Sequence, residues 1–279
     1  QANEIWKYER TKFIRKLEIS KAFNHIESVE KINELSVVLY TDSFFYGLWS
    51  DSKELLKSDV HSISNFPQLL KVWNNNFDLD IVRVLSTQKP YVHLLEKDFE
   101  QQYFDLYFDG IYNIKKRNGF DKEVDSFSDS NINTLHFLHN EVIKTLANFD
   151  FPYKISHISS ALARYAGLKD HDLLAFVSEN TLHIAYVENG EFKFYNQFYC
   201  KSSTDYLYYM LLIMNNYKLD PKSQNIYLGG HIVEQSPLFK QLDGYIANIY
   251  LIDQNLQLNP NHNIDPQLYF DLYLCRSCV

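Results

Sequence analysis

Glycine is scarce in this 279-residue chain, which has 8 of them against 21 tyrosines and 20 phenylalanines. No two glycines stand in a Gly-x-Gly arrangement. Loops that wrap phosphates with backbone N–H groups usually need that spacing, so P-loop and Rossmann readings find no support. Cysteine is scarcer still, since Cys200, Cys275 and Cys278 are too few for a disulfide framework in a chain this size. Basic charge is short as well, with 27 Lys and Arg against 35 Asp and Glu and a formal net charge of -8. A general nucleic-acid binder needs a basic stripe to displace counterions, so bulk charge argues against that class. The main basic cluster, Lys115, Lys116 and Arg117, reads as a solvated turn, with a phosphate-contact patch as the alternative. No stretch approaches the roughly eighteen apolar residues of a membrane span, and residues 1–11 are charged where a signal peptide would be apolar. The expectation is a soluble, cytoplasmic protein with no transmembrane segment.

What is present is a globular composition, 46% hydrophobic and 22% charged. The length suits two domains of about 100–150 residues each. One stretch organises the second half: Asn225, Ile226, Tyr227 and Leu228, then Gly229 and Gly230, then Ser236 and Pro237. The apolar run reads as a buried strand, and the paired glycines allow positive φ and close backbone approach where it ends. Ser236 is a good N-cap and Pro237 suits the first helical position. Leu238, Phe239 and Leu242 then supply one apolar face, and Gly244 can end the helix.

Residues 1–33 have a mixed period and give no clear element. Residues 36–41, 44–49 and 54–63 read as three antiparallel strands, turning at Asp42-Ser43 and at residues 50–53. Asn65 and Pro67 open a helix containing Leu69, Leu70, Val72 and Trp73, and residues 81–86 form a further strand. Residues 98–108 are expected to be helical and 118–133 to be a polar loop. Residues 134–148 are expected to form a helix with Leu135, Leu138, Val142 and Leu146 on its buried face. Pro152 stops that helix and marks the expected boundary between an N-terminal domain, residues 1–152, and a C-terminal domain, residues 153–279.

The second half opens with an expected helix over 155–166, followed by strands over 173–178, 181–187 and 191–199. Asn189-Gly190 is the dipeptide that a type I′ hairpin turn demands. Ser202 or Ser203 caps a helix through Tyr217, and the Gly229-Gly230 strand, the Pro237 helix and a strand over 248–253 follow. That order is β-β-β-α-β-α-β, and it begins as the first half does.

Such a doubled order is similar in layout to the actin-like superfamily, which includes sugar kinases, Hsp70 and actin. The closer likeness is to the actin-like type IV pilus assembly proteins and to the cytoplasmic part of the type II secretion L protein. Residues 160–166 precede the first strand of the second half, and Ile226 to His231 looks like the superfamily's adenosine-side motif. With Asp205, Tyr206, Tyr208 and Tyr209 on the long helix, the pattern resembles an uncharacterised Bacteroidetes family with an actin-like ATPase fold. The likeness covers roughly residues 35–255 and gains its weight from the repeat. It implies an α/β fold of two RNase-H-like βββαβαβ domains in the actin-like ATPase architecture.

The same resemblance implies ATP and Mg²⁺ held between two strand hairpins, each with an Asp-x-Gly turn. Asp42 stands where the first carboxylate would be, but Phe44 occupies the glycine position, where a side chain of that size is expected to obstruct the phosphates. The second turn is Ser178, Glu179, Asn180 and Thr181, with no Asp-x-Gly, and Tyr199 to Ser202 replace the glycine of the pilus-type relatives. Asp42, Gly229 and Gly230 are therefore the candidate cofactor-binding residues. No cofactor is expected, with ATP and Mg as the alternative.

Other constellations carry less. His136, His139 and Glu141 do not converge on one ion if they share a helix, so no metal site is expected there. Cys275 and Cys278 have the spacing of half a zinc site, with His262 as a further candidate ligand, but read as a frayed tail. Asp42 with Glu179 could form a carboxylate pair, although a hairpin turn favours Asp for local hydrogen bonding anyway. Tyr206, Tyr208, Tyr209 and Tyr217 serve packing or a partner surface. No Gly-x-Ser-x-Gly or His-Glu-x-x-His signature appears, and no catalytic residue is assigned. The leading expectation is a non-catalytic actin-like adaptor or assembly protein with an unidentified protein partner. The alternative is a nucleotide-binding actin-like ATPase or kinase with degenerate phosphate motifs.

Overall fold

A computed structural model describes residues 31–112, 119–127, 131–169, 172–252 and 266–277. The chain divides into two compact units. Among the described residues, the first comprises 31–164 and 274–277, and the second 165–252 and 266–273.

In the first unit, β1 (Ile32–Leu39), β2 (Ser43–Ser50) and β3 (Leu55–Ser62) form an antiparallel meander, as their turn signals predict. Helix α1 (Phe66–Asn76), with Pro67 in its first turn, leads to β4 (Ile81–Ser86), which lies parallel to β1. Val37 and Leu39 of β1 and Phe44, Tyr46 and Leu48 of β2 share a core with Phe66, Leu70 and Trp73 of α1. Val38, Phe45 and Trp49 are buried as well. A sheet covered on both faces explains why these strands read as continuous apolar runs.

The middle of the chain corrects three expectations. The polar loop expected over 118–133 contains a strand, β6 (Phe120–Phe127), and the helix expected over 134–148 is a strand, β7 (Ile132–His139), followed by a short helix, α2 (Asn140–Leu146). Leu135 and Leu138 fit a helical period, yet they do not share a face: Leu135 joins the cluster around Phe104 and Phe108, and Leu138 joins the core beneath α1. The alternation through Thr134, Leu135, His136 and Phe137 has period two, which is that of a strand. With β5 (Tyr91–Leu95), these strands form a separate antiparallel sheet of order β5-β7-β6. The helix expected over 98–108 is instead broken into 3-10 turns at Glu96–Asp98, Gln101–Tyr103 and Leu106–Phe108.

The helix expected from 155 begins later. Residues Tyr153–His157 form β8, which pairs parallel with β4 and completes a sheet of order β3-β2-β1-β4-β8, and α3 (Ile158–Lys169) follows. So β8, just beyond the boundary expected at Pro152, belongs to the first unit.

The second unit repeats this order with a shorter crossover. Strands β9 (Leu173–Ser178), β10 (Thr181–Glu188) and β11 (Glu191–Tyr199) form the meander. Asn189 and Gly190 both have positive φ, 53° and 78°, as a type I′ turn requires. Helix α4 (Ser203–Asn216) starts in a capping box of Ser202 and Asp205, and β12 (Asn225–Gly230), α5 (Pro237–Asp243) and β13 (Asn248–Leu251) follow. The sheet order is β11-β10-β9-β12-β13. The last described helix, α6 (Phe270–Ser277), contributes Phe270 to this unit and Cys275 to the first.

Candidate functional site

Asp42 belongs to the first unit and Gly229 and Gly230 to the second. Asp42 is exposed in the β1–β2 turn, and its carbonyl accepts the Ile63 N–H at 3.0 Å. The obstruction expected from Phe44 is not what places this residue. Strand alternation turns its ring into the core, where it meets Phe66 edge-on at 5.4 Å between centroids and Trp73 at 6.4 Å. The ring therefore lies under α1 and not in the turn.

In the second unit, the β9–β10 turn is held by the chain itself. Glu179 adopts φ +43°, an uncommon conformation for a residue with a side chain. Its N–H donates to His231 Nδ1 at 3.3 Å, and its carbonyl accepts the Tyr206 hydroxyl at 3.2 Å. His231 is fixed in turn by its own N–H, which donates to the Val177 carbonyl at 2.7 Å. The backbone donor of Glu179 in this turn is thus engaged by an imidazole.

Gly229 and Gly230 end β12, and both are buried. A methyl group on Gly229 would run into the Phe270 ring and stand 3.0 Å from Ile252 Cδ1. One on Gly230 would run into the Val177 carbonyl oxygen and stand 2.7 Å from the Phe176 ring, and Gly230 also has φ +91°. These glycines therefore have a complete packing explanation: the space a side chain would need is filled by Phe176 and by Phe270, which is wholly buried.

The remaining sequence candidates separate. Three apart on a strand, His136 and His139 point to opposite faces, and among the described residues no cluster of His, Cys, Asp or Glu is placed to hold a metal ion. Cys275 is not in a frayed tail. It is buried in α6, with Sγ 3.3 Å from the Arg83 carbonyl and 3.5 Å from that of Val37, while Arg276 pairs with Glu34 at 3.2 Å and lies over the Trp49 ring. Cys278, His262, the Lys115 to Arg117 cluster and residues 1–30 lie outside the described residues. Of the four tyrosines, Tyr206 is buried, Tyr209 stacks on Phe198, Tyr217 packs on Tyr186 and Phe194, and Tyr208 is 58% exposed.

One arrangement escaped the sequence reading. Directly opposed residues of an antiparallel ladder share a face, and one face of the β5-β7-β6 sheet carries the rows Tyr91–His136–Glu123 and His93–Thr134–Asp125. The start of α3 covers it. Asp125 Oδ2 accepts the His157 N–H at 2.8 Å, Thr134 and Ser160 share a hydrogen bond of 2.8 Å, and the His136 and His157 rings lie 5.2 Å apart. His157 Nε2 faces the Gln88 carbonyl at 3.1 Å, so it carries the proton and Nδ1 accepts. Ser159 then donates to Nδ1 at 2.7 Å and accepts from His93 Nε2 at 2.9 Å. Burial lowers the pKa of both His93 and His136 to about 4, and raises those of Asp125 and Glu123. The signal was the period-two run of polar residues, hidden once residues 134–148 were read as a helix.

Comparison with known proteins completes the picture. Residues 71–249 match the family described as "Protein of unknown function (DUF3822)". The chain belongs to that family. Among curated proteins, none is similar enough in sequence to count as a relative. The fold is similar to that of a Bacteroides thetaiotaomicron protein with actin-like ATPase fold and unknown function, at 18% identity and a TM-score of 0.67 over 92% of this chain and 97% of that one. It is also similar to PilM in the PilM–PilN type IV pilus biogenesis complex, at 8% identity and a TM-score of 0.53 over 89% and 99% of the two chains. The ethanolamine utilization protein EutJ from Carboxydothermus hydrogenoformans follows at 9% identity, a TM-score of 0.50 and 98% of both chains. At these identities the likeness establishes the actin-like ATPase fold alone. Among the described residues, no helix is long and apolar enough to cross a membrane.

Proposed function

We propose that this protein is a non-catalytic actin-like adaptor or assembly factor, a pseudo-ATPase that acts in the cytoplasm by presenting its surface to a partner protein. The observation that supports the reading is that the second unit's residues resembling the phosphate and adenosine motifs are engaged by the chain itself. His231 takes the Glu179 N–H, and Phe270 and Phe176 occupy the space beside Gly229 and Gly230. A phosphate oxygen reaching the Glu179 N–H would first have to replace its bond to His231, which weakens binding by that cost. PilM, a neighbour in fold, is seen in a complex with PilN, and a partner-binding role of that kind is the one assigned here.

One observation favours the alternative of a nucleotide-binding ATPase: Asp42 remains exposed at its turn, where a carboxylate could meet a hydrated Mg²⁺. Thermal unfolding with and without millimolar Mg-ATP or Mg-ADP separates the two. A ligand at a hundredfold over its dissociation constant adds about 2.7 kcal/mol, a shift of several degrees. The proposed role predicts an unchanged midpoint, and a shift of that size would return the protein to the ATPases.

A further inference from the structure

The buried layer between the three-stranded sheet and the start of α3 holds three imidazoles, and its hydrogen bonds require them neutral. His157 must accept at Nδ1, because the Ser159 N–H also points there at 3.2 Å, and a proton on that nitrogen would face this donor. His93 donates to Ser159 through Nε2 in the same chain of bonds. His136 is wholly buried, and apart from a weak interaction with the Phe137 backbone its ring nitrogens have no hydrogen-bond partner among the described residues. A second charge on any of these rings therefore has nowhere to be solvated while the layer stays closed.

We propose that this layer is a proton-sensitive clasp, in which proton uptake by His93 and His136 detaches the β5-β7-β6 sheet from β8 and the first turns of α3 within the first unit. Every element around the layer bears on the charge balance. Strand β5 contributes Tyr91 and His93, β6 contributes Asp121, Glu123 and Asp125, β8 contributes His157, and α3 contributes Arg164 near Asp125. Lys89 lies in the segment before β5, while Glu141 and Lys144 of α2 are exposed.

The sign follows from which state holds the protons. Closing depresses the two imidazoles, so the closed state binds fewer protons than the open one, whose histidines titrate near 6.5. Closure is fully favoured above that pH and is lost progressively as pH falls toward 4. At pH 5 each imidazole shifts the equilibrium toward opening by about thirtyfold relative to pH 7.5. Asp125 and Glu123 oppose this, because burial raises both and acid relieves them. The histidines outnumber that relief because the hydrogen bonds from the His157 N–H and Ser160 hold Asp125 partly in its ionised form.

Amide hydrogen exchange of the intact chain at pH 7.5 and pH 5.0, corrected for the intrinsic rate, reads the opening strand by strand. The expected result is a rise in β5, β6 and β7 at least tenfold larger than in β9, β10 and β12. That excess shrinks in His136→Leu, which keeps the volume without the proton site, and in His93→Gln, which keeps a donor to Ser159. The wild-type measurement stands even if a variant folds poorly. Equal rises in the two sets of strands, or an excess that neither variant reduces, would overturn the proposal.

Discussion

The two units build the same sheet order from different material, and the difference is sharpest where their fourth strands end. In the first unit, β4 finishes with Leu85 and Ser86, both buried, and the chain runs through residues 87–152 before β8 closes the sheet. In the second, β12 finishes with Gly229 and Gly230, and residues 231–247 suffice to reach β13. The long crossover of the first unit carries the extra sheet, whose polar face is buried against α3. The short crossover of the second is aromatic at its root, with Phe176 and Phe270 pressed against backbone. One architecture thus places its cost in charge burial in one half and in steric exclusion in the other.

That contrast can be broken or sharpened by substitution. The largest expected effect is Phe44→Ala, which removes a ring at the centre of the first core and should destabilise that unit by about 3–5 kcal/mol. Trp49 and Trp73 both lie in the first unit and report its unfolding by fluorescence in urea. A loss below about 1 kcal/mol would mean that Phe44 is not the core residue described. Next is Gly230→Ala, expected to cost the second unit about 3 kcal/mol because the new methyl meets the Val177 carbonyl at a positive φ. Exchange of the β9 and β12 amides measures it, and unchanged protection would return the glycine to a ligand-binding role.

These two residues also show what the sequence could and could not reveal. The meanders were legible because each turn carries its own chemistry, as Asn189 and Gly190 do, and because buried strands read as apolar runs. Strand β7 was not, since Leu135, Leu138, Val142 and Leu146 imitate a helical face while serving two different cores. Strand β8 was hidden for a related reason: Ile155 stands at helical spacing from Ile158 and Leu162 of α3, and only pairing with β4 separates strand from helix. For the candidate site, Gly229 and Gly230 were visible as glycines. What fills the space beside them was not, because Phe270 lies far along the chain and its approach depends on tertiary packing. Phe44 was noticed for its size, but the face it takes is set by strand alternation, which reverses the role assigned to it.

Acid offers a smaller and unequal perturbation. Because burial lowers the pKa of His93 and His136, each contributes stability to the first unit that is complete above about pH 6.5 and lost as pH falls toward 4. The histidine share is read as the difference between wild type and His136→Leu in tryptophan-followed urea unfolding, where wild type should lose more stability than the variant between pH 7.5 and pH 4.5. An equal loss in the two would show that His136 is not buried neutral as described. The smallest effect concerns Ser236, whose hydroxyl accepts the Phe239 N–H at 3.1 Å and caps α5. Ser236→Ala should cost the second unit about 1 kcal/mol and leave the first unit's fluorescence transition in place.

The claim that the second unit's residues resembling the nucleotide motifs are engaged by the chain itself is tested most directly by isothermal titration of the intact protein with Mg-ATP. The account predicts no saturable heat up to about 1 mM nucleotide. Saturable binding with a micromolar dissociation constant would contradict it, because His231 would then have to yield its place to a ligand.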